Sequence, residues 1–176
     1  MKVFKIGVNV NEVATYLLDY PKDEYDLDYL DLTGVSRIND WIPPKVYLDS
    51  PQLPLTGFSS LWGSTGNIVI DDSIVQKYLT LFESCGELLP LQSKEKKIYL
   101  FNCLQVVDAH VGPTPNAFQP HKKFQFIEHR LTGYTLFKLY KSAGLYCMES
   151  DNVDIQTLLT DKDKGLIIKE VWNSDL

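Results

Sequence analysis

No stretch of the 176 residues comes near the ~18 consecutive apolar residues of a membrane span. Nor is there a block of basic residues. Seventeen Lys and Arg stand against 23 Asp and Glu, for a formal net charge of -6. A chain without a basic patch is poorly suited to nucleic acid, whose affinity comes largely from phosphate neutralisation. Cysteine is scarce and odd in number. Cys85, Cys103 and Cys147 are scattered and each lies beside apolar residues, which reads as buried free thiols in a reducing compartment. The three histidines, His110, His121 and His129, form no short pair, and mononuclear zinc needs three or four convergent groups. Cys-x-x-Cys, His-Glu-x-x-His and Gly-x-Ser-x-Gly are all missing. The Gly/Ser loop at residues 61–66 lacks the Gly-Lys-Ser/Thr ending of a phosphate cradle and leads into a strand rather than a helix. Lys2 and Lys5 interrupt what would have to be the apolar core of a signal peptide. The expectation is a soluble, cytoplasmic chain with no membrane contact, no metal and no cofactor.

What is present is an apolar run from Ile98 to Val107, broken only by Asn102 and Gln105. It is rich in β-branched and aromatic residues and free of Gly and Pro. That composition predicts a strand covered on both faces, near the middle of a sheet, with a buried helix as the competing reading. Residues 2–9 alternate in the manner of a strand, while residues 11–18 fit a short helix or a second strand equally. Prolines at 43, 44, 51 and 54 mark residues 41–66 as largely irregular, wrapping the core with Trp41, Phe58 and Trp62 as its anchors.

A strand at 67–70 then leads to a helix capped by Asp71, Asp72 or Ser73. Its buried face carries Ile74, Val75, Tyr78, Leu79 and Phe82, and a left-handed Gly86 ends it. Residues 88–91 form an extended edge, since Pro90 has no N–H for a ladder. Strands are expected at 123–128, 135–140, 145–148 and 166–172. Gly144 supplies a positive φ in the hairpin turn, and Ser150, Asp151 or Asn152 caps a second helix. The whole predicts an α+β fold: a mixed, mainly antiparallel sheet with two or three helices packed on it. Residues 1–66 provide an N-terminal strand and wrapping segment, and residues 67–176 a sheet-and-helix core, in one compact domain.

The most distinctive polar stretch is residues 19–31. Six carboxylates, Asp19, Asp23, Glu24, Asp26, Asp28 and Asp31, face Lys22 alone, with Tyr25 and Tyr29 among the interleaved apolar residues. A solvated surface segment explains such a run, and so does a contact surface in which Tyr supplies rigid area and the carboxylates steer a basic partner. Asp19, Asp23, Glu24, Tyr25, Asp26, Asp28, Tyr29 and Asp31 are therefore the candidate partner-binding residues. For chemistry there are two weaker candidates. Cys103 with His110 or His129 has the residue types of a nucleophile–base pair, although its apolar strand makes an inert thiol. Asp108 and His110 are spaced to share one side of a strand, two ligands where a metal needs three.

The order Ile68-Val69-Ile70-Asp71-Asp72-Ser73, then Leu88-Leu89-Pro90-Leu91, then Phe101-Asn102-Cys103-Leu104-Gln105-Val106-Val107-Asp108, closing with Gly165 and Val171-Trp172, resembles bacterial polymorphic-toxin immunity proteins. The family in question is number eleven in the immunity-protein classification, formerly a domain of unknown function. The likeness spans roughly the C-terminal two-thirds, an extent in keeping with one domain. It implies a cytoplasmic, non-catalytic antidote that binds a cognate toxin protein and occludes its active or substrate-binding surface. It carries over no functional residue. A small enzyme using Cys103 or Asp108/His110, and a regulatory domain with another protein partner, remain the alternatives.

Overall fold

The apolar run at 98–107 is divided between two sheets. A computed structural model describes residues 1–19, 30, 32–62, 66–112, 124–142, 144–160 and 165–175. In chain order the elements are β1 (Lys2–Val8), β2 (Thr15–Leu18), β3 (Val46–Leu48), β4 (Phe58–Leu61), β5 (Ile68–Asp71), α1 (Asp72–Cys85), β6 (Gly86–Leu91), β7 (Ile98–Cys103) and β8 (Val106–Val107). After a 3-10 turn at Glu128–Arg130 come β9 (Leu136–Leu139), β10 (Leu145–Met148), α2 (Val153–Thr160) and β11 (Leu166–Asn173). One sheet has the order β11-β1-β10-β9-β8, the other β3-β2-β4-β5-β7-β6. Neighbours are antiparallel except for β2 with β4 and β8 with β9. The expected α+β fold with mainly antiparallel pairing is what the chain forms, with two sheets in place of one.

The run divides because Leu104 and Gln105 leave the ladder. Both amides turn to the Cys85 carbonyl at the end of α1, at 3.0 and 3.3 Å, and the Gln105 carbonyl then accepts from Lys138 N at 2.8 Å, starting β8 beside β9. β7 is thus next to the edge strand of its sheet, not central. It is nevertheless buried on both faces: Ile98 and Leu100 point into one hydrophobic cluster, Phe101 and Cys103 into another.

The six-stranded sheet closes on itself. Lys45 bridges Gln92, Val46 N donates to the Gln92 carbonyl at 2.9 Å, and Gln92 N donates to the Pro44 carbonyl at 2.9 Å. The two outer strands meet at this seam, leaving a small barrel with its edges paired. Alternation fills it, one face of every strand pointing inward: Tyr16, Val46, Leu61, Val69, Leu89 and Leu100 all belong to the interior cluster. Residues 41–66, expected to be largely irregular, therefore contribute two barrel strands. Their prolines lie outside those strands, so the pattern excluded helix without excluding strand. Of the three proposed anchors, Phe58 is fully buried and Trp41 packs against the barrel interior, donating Nε1 to the Pro90 carbonyl at 2.8 Å. Trp62 is exposed.

The outer face of the barrel, the five-stranded sheet and both helices share a second core that includes Phe58, Ile70, Phe82, Phe101, Leu145 and Ile155. Asp71 is the cap of α1, its Oδ1 accepting from Ile74 N at 3.1 Å. The helix breaks at Tyr78 (φ -126, ψ 24), which shifts its phase. Leu81 and Cys85 join Ile74, Val75, Tyr78 and Phe82 on the buried face, and Leu79 turns out to solvent at 40% exposure. Gly86 is extended (φ -178) rather than left-handed. Glycine is needed there because a Cβ would meet the Asn102 carbonyl oxygen at 2.2 Å. In the β9–β10 hairpin the positive φ belongs to Lys141 (φ 59), not Gly144. Asn152 caps α2, its Oδ1 accepting from Asp154 N and Ile155 N.

The far face of the five-stranded sheet carries a third cluster, with Phe126 and Leu131 lying over Phe137 and Tyr146. Of residues 123–128, expected as a strand, the described ones from 124 on make one bridge, Phe126 with His110, before the 3-10 turn. Their aromatics pack onto the sheet instead of extending it: Phe124 and Phe126 stack at 5.8 Å, and Phe126 meets Trp172 edge-on.

Candidate functional site

The acidic segment is fixed to the barrel at both ends. At its start, Leu18 pairs with Val46, and Asp19 N donates to the Lys45 carbonyl at 2.8 Å. At its end, Leu30 and Leu32 are buried in the barrel interior. Asp19 is exposed; Asp23, Glu24, Tyr25, Asp26, Asp28, Tyr29 and Asp31 lie outside the described residues, as do His121 and residues 113–120.

From Leu32 the chain runs as a strap past β6 and β7, and buried polar side chains hold it. Lys138, 3% exposed, donates Nζ to the Leu32 carbonyl at 2.5 Å and to Asn67 Oδ1 at 2.6 Å. Asn102, fully buried, donates Nδ2 to the Val35 carbonyl at 2.9 Å and to Glu87 Oε1 at 2.7 Å. Glu87, 9% exposed, accepts from Ser36 Oγ at 2.8 Å and from Arg37 N at 2.6 Å. Trp41 then ties the strap to Pro90. Gly34 (φ +87) lies so close to β8 that a Cβ would meet Val106 Cγ2 at 2.1 Å. Burying polar or charged groups is costly unless they are bonded, and here most of the bonds go to one irregular segment. Core packing alone does not require a glutamate and an asparagine paired across β6 and β7, with a buried lysine on β9 of the other sheet. Their arrangement fixes the backbone at the root of residues 19–31.

A cavity of about 460 Å³ opens beside the strap, lined by Thr33, Val106, Lys138, Tyr140 and Ser142 among others. Lys138 is among its lining residues, and its ammonium is already bonded to Leu32 and Asn67.

The reactive candidates have other uses. Cys103 is fully buried, its Sγ 3.7 Å from the Gln105 and Leu136 carbonyl oxygens, and burial pushes its thiol up to about 12. Burial likewise pushes Cys147 up to about 12. A thiol held so high is not a nucleophile at neutral pH. The Asp108 carboxylate faces Arg130 at 3.7 Å in solvent, whereas His110 Nδ1 is 3.0 Å from the Gly112 carbonyl oxygen and its ring sits edge-on to Phe124 and Phe126. Among the described residues no three His, Cys, Asp or Glu side chains gather as a metal would require, and no helix is long and apolar enough to cross a membrane.

Native protein at pH 8 should therefore react with a thiol reagent at none of its cysteines until it is unfolded. The unfolded thiols ionise near 9 while the native ones at 103 and 147 stay protonated to about 12. The part of the stability that Cys103 and Cys147 contribute is accordingly full below pH ~9 and is lost between there and pH ~12. Fast labelling of Cys103 in urea-free buffer would count against this.

Glu87, Asn102 and Lys138 were not singled out from the sequence. The available signal was a polar residue inside an otherwise apolar strand: Asn102 in the 98–107 run and Lys138 between Phe137 and Leu139. The chain matches no protein-family model, and no curated protein is similar enough to be matched.

Proposed function

We propose that this chain is an immunity protein that binds a cognate bacterial toxin and neutralises it by occluding the toxin's active or substrate-binding surface. Residues 19–31 form the charged part of the contact. The observation that carries this reading is the investment of Lys138, Asn102 and Glu87 in anchoring the backbone at the foot of the acidic segment. An acidic loop with no partner needs no such mounting. A loop that must meet a basic surface with little ordering cost gains from it. The order of apolar pieces from Ile68 to Trp172, with its likeness to the immunity family, points the same way. Such a protein acts in the cytoplasm, in keeping with three reduced, buried cysteines. Burial of Cys103 weighs against the cysteine form of the enzyme alternative.

On the proposed reading the gene adjoins one for a toxin, and co-expression with that neighbouring reading frame should relieve the growth arrest it causes; a neighbour that is not toxic, or a growth arrest that is not relieved, defeats the reading. Charge reversal at Asp23, Glu24, Asp26 and Asp28 should slow association with that protein by about tenfold at low salt and flatten its salt dependence. The fold should be unchanged. Binding identical to wild type at every salt concentration rules the segment out.

A further inference from the structure

We draw no further inference here: the strongest candidate, the cavity of about 460 Å³ between the strap and the β9–β10 hairpin, takes its positive charge from Lys138, whose ammonium is already bonded to Leu32 and Asn67, and from the exposed Lys141, so nothing in the structure fixes the chemistry of a ligand for it.

Discussion

Replacing Lys138 with methionine should lower the unfolding free energy by about 3 kcal/mol and loosen residues 30–37 before the rest of the barrel. Methionine keeps most of the stem volume, so packing around β9 changes little. The loss is polar. Nζ now bonds the Leu32 carbonyl and Asn67 Oδ1, both in the interior. Without it the Leu32 carbonyl and Asn67 Oδ1 both lose a buried donor, and a buried polar group that loses its partner costs about 1–3 kcal/mol. Part of that is recovered because the buried ammonium no longer has to be desolvated. Urea unfolding gives the first quantity. Hydrogen exchange of the strap amides gives the second, with Arg37 N as the reporter because its partner, Glu87, is untouched. Neutralisation of the partner should fall as well, even though every carboxylate from 19 to 31 is still present, because the foot of the segment is no longer fixed. A variant as stable as wild type, with unchanged strap exchange, would show that Lys138 carries no such burden.

The secondary structure of the C-terminal part was legible because its strands and helices keep clean periods. Asp71 and Asn152 cap where a short oxygen acceptor precedes an apolar stripe, and the strands at 136–139, 145–148 and 166–173 are apolar runs between turn residues. The barrel was not legible. β2, β3 and β4 are three or four residues each, too short for a period to register. The seam that closes them rests on Pro44, Lys45 and Gln92, which carry no strand signal at all. The division of the 98–107 run was hidden for a different reason. What breaks it is the Cys85 carbonyl at the end of α1, a tertiary partner that local composition does not encode. Leu79 and Gly86 were misjudged through geometry: a break at Tyr78 moved the buried stripe, and a close approach to Asn102 demanded glycine without demanding a positive φ. The acidic segment stood out by composition, yet its mounting did not. Glu87, Asn102 and Lys138 are far apart in sequence, and only the pairing of β6 with β7 brings even two of them together.

That pairing makes Glu87 the sharpest probe of the mounting. Three donors converge on its carboxylate: the Ser36 hydroxyl, the Arg37 amide and Asn102 Nδ2. Glu87→Ala removes both acceptor oxygens, orphans the Arg37 amide and leaves a hole between β6 and the strap. A loss of about 3–4 kcal/mol is expected, since hydrogen bonds to a charged group contribute about 1.5–3 kcal/mol each and are not additive. Glu87→Gln separates acceptor geometry from charge. Its carbonyl oxygen can take the place of Oε1 and accept from Arg37 N and Asn102 Nδ2. Its amide then faces the Ser36 hydroxyl, which can rotate to accept. That variant should lose only about 1 kcal/mol and keep the strap in position. The two substitutions should therefore differ by at least 2 kcal/mol in urea unfolding. They should also differ in partner association, with alanine slowing it and glutamine leaving it near wild type. Equal losses for both would mean that the negative charge itself, rather than the three converging bonds, holds the strap. The surface next to it would then be set by the field around Glu87 and not by a fixed backbone.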